Sequence, residues 1–187
     1  NIVTVLFKTS IGKKVIMALT GVVLIGFIFG HLVGNLQIFS EPEKINTYAH
    51  FLQGLGPALW VIRLFLLTCV GLHIWMAILL WLENKRARPQ SYAASHTIQA
   101  SYASRTMKYS GLIVLAFLLY HIAHFTVKAT NPEFSEMTWT LADGTVVPDV
   151  HMMMVVGFSS LTVSLFYILS VGLLSFHLSH GFQSMFQ

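Results

Sequence analysis

Four stretches of this chain contain no Asp, Glu, Lys or Arg: Val15–Ser40, Leu64–Leu82, Tyr109–Val127 and Val150–Gln187. Each reaches or nearly reaches the roughly 20 apolar residues that cross a bilayer as a helix. Backbone groups in hydrocarbon must find hydrogen bonds within their own segment or in a closed barrel, and uninterrupted runs of this length read as helices. Composition agrees: of 187 residues, 55% are hydrophobic and only 10% charged, against about a quarter charged in an ordinary soluble domain. The mean hydropathy is +0.70. The expected fold class is all-α: one polytopic transmembrane helical bundle over residues 1–187, with four spans at about 11–39, 58–83, 106–128 and 151–180.

The basic residues orient the spans. With the N-terminus cytoplasmic, the inner segments hold Lys8, Lys13, Lys14, Lys85, Arg86, Arg88, Arg105 and Lys108. The outer segments hold Lys44, Arg63 and Lys128, together with Glu41, Glu43, Glu133, Glu136, Asp143 and Asp149. That bias follows the positive-inside rule. The net charge of +4 and pI near 9.3 therefore express topology, and nucleic acid is not an expected partner. A basic inner face suits an anionic soluble protein or acidic lipid. Lys13 and Lys14 precede a span too long for a signal-peptide core, so no cleavable signal is expected. The single cysteine, Cys69, lies inside a span. It can form neither an internal disulfide nor an iron–sulfur cluster, which takes four thiolates. No Gly-rich nucleotide fingerprint follows a strand, so flavin or iron–sulfur chemistry must belong to another subunit.

Between the spans the punctuation is legible. Residues 1–14 read as an interfacial lead-in, with Ser10 as N-cap of the first span. The outer loop Ser40–Pro57 carries Glu41-Pro42 and Gly54-Leu55-Gly56-Pro57 around a short helix, Ile45–Leu52. The inner loop Asn84–Arg105 is basic and rich in Ser and Ala. In the second outer loop, Asn131–Pro148, the run Leu141-Ala142-Asp143-Gly144-Thr145 predicts a tight turn or hairpin. No internal repeat signals inverted topology.

Each span carries a histidine within its apolar stretch: His31, His73, His121 and His177. A polar ring in hydrocarbon costs free energy unless its nitrogens are engaged. One per span, in two layers, reads as the axial ligand set of two b-type haems. Spans one and three run outward and meet His31 and His121 late; His121 stands seven residues before Lys128, roughly 10 Å at 1.5 Å per residue. Spans two and four run inward, putting His73 beyond the midpoint and His177 near the end. The expected pairs are His31 with His121 in an outer layer and His73 with His177 in an inner one. Two imidazoles per iron leave no open position, which favours electron transfer over oxygen chemistry. Gly26, Gly30 and Gly34 recur around His31 and allow close approach of a flat macrocycle or of another helix; Gly71 and Gly172 are compatible with either. His50, His96, His151 and His180 fall outside the apolar core. His124, three residues after His121 on nearly the same face, is the rival ligand.

At these residues the chain resembles the diheme cytochrome b membrane anchor of succinate dehydrogenases and fumarate reductases. The resemblance is carried by Gly30-His31-Leu32-Val33-Gly34-Asn35, Leu72-His73-Ile74, Tyr120-His121-Ile122 and Phe176-His177-Leu178-Ser179-His180-Gly181-Phe182-Gln183-Ser184. It implies four axial histidines paired first with third and second with fourth, and favours His121 over His124. It implies five helices, of which this chain carries four; the fifth lies beyond it or its place is taken by another subunit. It further implies a bacterial cytoplasmic membrane, flavoprotein and iron–sulfur subunits on the cytoplasmic face, and relay of electrons from succinate through two haems b to quinone, menaquinone rather than ubiquinone. Oligomers of such complexes are compatible with the chain.

A quinone site needs a hydrogen-bonding or proton-exchanging group beside each carbonyl, near a haem and the membrane edge. Outer candidates are Gln37, Glu41, His50, Gln53 and Arg63; inner ones are Ser179, His180, Arg105 and Lys108. Arg63 and Lys128 could pair with a haem propionate or snorkel to the interface. Two other readings stay open: the cytochrome b subunit of a hydrogenase or formate dehydrogenase, and a transporter moving protons or divalent metal through histidines. The shortage of intramembrane carboxylates weighs against the transporter.

Overall fold

The structure, a computed structural model, describes residues 1–87 and 102–185; Arg88, His96 and most of the inner loop lie outside the described residues. In chain order the elements are α1 (Ile2–Lys8), α2 (Ser10–Asn35), a 3₁₀ turn (Leu36–Phe39), α3 (Pro42–Gly54), α4 (Pro57–Arg86), α5 (Tyr102–His121), a π-helical turn (Ile122–Thr126), a 3₁₀ turn (Pro132–Ser135), strands β1 (Thr138–Thr140) and β2 (Val146–Pro148), α6 (Val150–Gly157) and α7 (Leu161–Ser184). The fold is all-α apart from the hairpin. Four helical segments are long and apolar enough to cross a membrane: Ser10–Phe39, Pro57–Arg86, Arg105–Thr126 and Leu161–Ser184. Their surfaces carry exposed Leu, Val, Ile and Phe along most of their length, among them Val22, Phe29, Leu64, Leu67, Leu112, Leu119, Leu165 and Ile168. Water would penalise that surface heavily, whereas lipid tails are as apolar as the side chains themselves.

Two compact units divide the chain, one built from residues 1–31 with α4, the other from residues 32–55 with α5 to α7 and the two strands. In the first unit α1 doubles back on α2 where Gly12 lets the chain pass: a Cβ there would collide with the carbonyl of Val5 and with Leu6. The cap of α2 is Thr9, not Ser10. The extended Thr9 accepts the Gly12 N–H on its hydroxyl at 3.0 Å, while Ser10 donates to the Glu83 carboxylate on α4. Glu83 also pairs with the buried Lys13, which ties together the ends of α2 and α4. The helix beginning at Pro57 runs to Arg86, a turn further than the sequence predicts, because Lys85 and Arg86 complement its C-terminal dipole.

The second unit packs an apolar core between its short elements and the ends of its long helices, where Phe134 lies against His124 and Phe125. Ile45, Phe134, Leu141, Val147 and Met153, contributed by α3, the 3₁₀ turn Pro132–Ser135, the hairpin and α6, are all buried. Pro42 starts α3, so the short loop helix is longer at both ends than expected. Buried Asn46 then fastens it: its amide donates to Asp149 at 3.1 Å, and its carbonyl oxygen accepts the His151 N–H at 3.1 Å. Asp149 in turn caps α6 through the Met152 N–H. The hairpin pairs β1 with β2 antiparallel, closing through Gly144 at φ +85 with its N–H on the Leu141 carbonyl. A left-handed glycine at that point is what such turns require.

The fourth predicted span, about 151–180, is interrupted. Gly157 ends α6, and α7 starts only at Leu161. Hydroxyls compete with the helical ladder across Phe158-Ser159-Ser160: Ser159 donates to the Val156 carbonyl and Ser164 to that of Phe158. The Phe158 ring meanwhile packs edge-on against Tyr167 at 4.9 Å. The third span also departs from regular α geometry. It ends in the π turn, closed by Val127 N–H on the Ile122 carbonyl, and Lys128 reverses the chain at φ +61.

Candidate functional site

His73 projects from α4 onto α2, with Nδ1 3.1 Å from the Met17 carbonyl and 3.4 Å from the Thr20 hydroxyl. Its Cε1 lies 3.5 Å from where a Cβ on Gly21 would stand. A carbonyl can only accept, and Thr20 gives its own proton to the Ile16 carbonyl at 2.8 Å. Nδ1 of His73 therefore carries the proton, and Nε2 holds the lone pair. His177 on α7 repeats the construction against α5. Its Nδ1 lies 3.4 Å from the Ser110 hydroxyl, whose proton goes to the Met107 carbonyl at 3.0 Å. A Cβ on Gly111 would stand 3.4 Å from His177 Cε1. Both rings are thus held in the tautomer that metal-ligating histidines take, with Nδ1–H on an oxygen and Nε2 as ligand atom.

These contacts expose a repeat that the sequence reading missed. Thr20-Gly21-Val22-Val23-Leu24-Ile25-Gly26-Phe27-Ile28-Phe29-Gly30-His31 aligns without a gap on Ser110-Gly111-Leu112-Ile113-Val114-Leu115-Ala116-Phe117-Leu118-Leu119-Tyr120-His121. In each copy a hydroxyl and a glycine receive the histidine of the following long helix, and the copy's own histidine stands ten residues further on. At 1.5 Å per residue that is about 15 Å along the helix. The same two levels are therefore built in both units: His73 and His31 in one, His177 and His121 in the other. Only a hydroxyl, a glycine, a phenylalanine and a histidine mark the repeat among interchangeable aliphatics, which is why it is faint until the contacts single them out.

Around His31 the structure divides the three glycines. Gly34 is occupied, the Tyr48 ring standing 2.9 Å from its would-be Cβ, whereas no atom of the described residues comes within 4 Å of that position on Gly26 or Gly30. The Phe27 ring stacks on His31 at 5.4 Å. Gly26 and Gly30 thus do not serve packing of one described helix on another; they leave an open strip of backbone beside an exposed imidazole.

His121 is the last residue of α5. Its Nδ1 lies 3.5 Å from the Tyr167 hydroxyl, which also meets His124 Nδ1 at 3.1 Å. The rivals share a face, as their spacing implies, but not an environment. His124 is fully buried, its ring 4.1 Å from that of Phe125 and 5.6 Å from that of Phe134, with Gly157 closing over Cε1. Its Nε2 is buried and has no hydrogen-bond partner among the described residues. Walls of aromatic rings leave no room there for a macrocycle, whereas His121 is only half-buried.

The polar candidates scatter. Arg63 is exposed, its guanidinium 5.0 Å from the centre of the Trp60 ring. Lys128 donates to the Phe134 carbonyl at 3.3 Å and so secures the turn that it makes. Arg105 and Lys108 are exposed on the first turns of α5, Lys108 over the Tyr109 ring at 4.8 Å. Gln37 is half-buried in the 3₁₀ turn, and Glu41, His50, Gln53 and Ser179 are exposed, while His180 is half-buried on α7. An open apolar groove of about 280 Å³, lined by Tyr120, Thr162, Val163 and Phe166, lies beside the outer level of the second unit; nothing in the sequence singled it out.

Among the described residues no group of three or more His, Cys, Asp or Glu side chains is placed to hold a metal ion. Haem ligation asks for something different: one neutral imidazole from each side of a flat ring. The oriented tautomers and the open strip beside His31 fit that demand. Compared with known proteins, the chain matches no family model, no curated protein and no solved structure.

Proposed function

We propose that this chain is the membrane cytochrome b anchor of a succinate:quinone oxidoreductase, holding two bis-histidine haems b in a bacterial cytoplasmic membrane. The observation that carries the reading is the repeated histidine cradle, with its matching separation of two levels in both units. Two bis-histidine haems need two histidine levels with one spacing, and each unit supplies both levels. His73 and His177 would hold the inner haem, His31 and His121 the outer.

Each residue has a definable task. The Met17 carbonyl and Thr20 oxygen accept the Nδ1–H of His73, and the Ser110 oxygen accepts that of His177, so both Nε2 lone pairs are oriented before any ligand binds. Gly26 and Gly30 would leave room for a flat ring beside α2. The apolar helix walls exclude water from the space around the imidazoles. When bound, the haems supply one-electron oxidation and reduction with no open coordination position. Succinate oxidation would take place in flavoprotein and iron–sulfur partners against the basic inner face, with quinone as the membrane acceptor; menaquinone is the expectation that the resemblance supplies.

Reduced-minus-oxidised spectra of the purified complex test this. The expected result is two spectrally or potentiometrically distinct haems b, with His31→Ala and His121→Ala deleting one species and His73→Ala and His177→Ala the other. A colourless protein, or loss of the species in any other pairing, contradicts the assignment. Co-purification of a nickel or molybdenum subunit in place of a flavoprotein would move the chain to a different dehydrogenase.

A further inference from the structure

We propose that Tyr167 is a positioning residue for the outer haem, accepting the Nδ1 proton of His121 and directing its own phenolic proton to His124. The inference rests on the bis-histidine reading above. It starts from a contrast between the two levels. At the inner level the tautomer of each histidine is dictated by oxygens whose protons are already committed to main-chain carbonyls. At the outer level the Tyr167 hydroxyl lies between two imidazole nitrogens, 3.1 Å from His124 Nδ1 and 3.5 Å from His121 Nδ1.

A phenol has one proton to give. If it points to His121, that ring must carry its own proton on Nε2 and cannot bind iron through that atom. If it points to His124, the Tyr167 oxygen is turned to accept from His121, Nδ1–H is fixed, and Nε2 becomes the ligand atom. The shorter contact to His124 favours the second direction. His124 is suited to hold it there: its ring is fully buried and clamped by Phe125, Phe134 and Gly157. Its Nε2, the atom without a hydrogen-bond partner among the described residues, would carry that ring's proton toward aromatic faces, a weak but tolerable arrangement. A buried histidine with one idle nitrogen is thereby explained as the outer member of a three-residue chain. The π turn that follows His121 belongs to the same construction, because His124 lies within it.

The test is a potentiometric titration of the whole complex carrying Tyr167→Phe or His124→Leu, read by haem spectra and by the ferric low-spin electron paramagnetic resonance signal. The outer haem is identified as the species that His31→Ala removes. Removing the acceptor of Nδ1–H makes the imidazole a poorer donor to ferric iron. Tyr167→Phe should therefore retain both haems, raise the midpoint potential of the outer one, alter its resonance signal and leave the inner haem unchanged. His124→Leu should give a smaller shift of the same sign, and it carries the test alone if Tyr167→Phe does not assemble. An outer haem unchanged in potential and signal in these variants overturns the inference while leaving the haem assignment intact. Absence of haem from the wild-type complex overturns the assignment, and this inference with it.

Discussion

At the scale of single residues, hydroxyls set the chemistry of the imidazoles. The Ser110 oxygen accepts from His177, and the Met17 carbonyl and the Thr20 oxygen accept from His73. Ser110→Ala is therefore expected to weaken retention of the inner haem by about 10-fold or more, as loss of such outer partners typically does. Haem content of the purified variant under the washing applied to the parent protein measures the loss. Unchanged haem content would show that the Ser110 oxygen contributes nothing. A second expectation concerns the hairpin. The Thr145 N–H, and then its hydroxyl, hold the Asp143 carboxyl below its ordinary 3.8. A depressed carboxyl contributes stability above its unfolded pKa and loses it as pH falls through the lower folded value. Protection of the Thr145 amide, taken relative to its intrinsic exchange rate, should thus fall as the medium is acidified below about pH 4, and should not change over that range in Asp143→Asn.

At the scale of elements, polar contacts fix how short helices sit on their neighbours. Asn46→Ala strips the buried partner from Asp149 and from the His151 N–H, and should cost about 1–3 kcal/mol, read as a lower midpoint of thermal unfolding. Gly12→Ala forces a methyl into the main chain of α1. Faster amide exchange confined to Ile2–Lys8 is the expected signature, whereas unchanged exchange would show that α1 does not fold back on α2. The same elements show what a sequence can reveal. The four spans were legible because charge-free length is a local property, and the hairpin because Asp143-Gly144 has few alternatives. The break at Phe158-Ser159-Ser160 was not legible. Its residues are apolar or neutral, and what stops the helix is side-chain oxygen bonding to specific carbonyls together with Phe158 lodging against Tyr167. The Thr9 cap was missed for a related reason: two adjacent hydroxyl residues offer equal caps until Glu83, some seventy residues away, claims Ser10.

At the scale of the whole molecule, four histidines in four spans were apparent from the sequence, but the cradles that hold them were not. Thr20, Ser110 and their glycines look like any small residues of a membrane helix until the contacts with His73 and His177 are seen. Those contacts turn a count of histidines into two levels separated by ten residues in each unit. His124 shows the reverse: a candidate equal to His121 by spacing, set apart by burial among aromatic rings. Two haems per chain is the claim on which the functional reading turns, and it is open to direct measurement. A pyridine haemochrome assay on the purified complex, normalised to polypeptide, should give two haems b per copy of this chain. One or none would contradict the account.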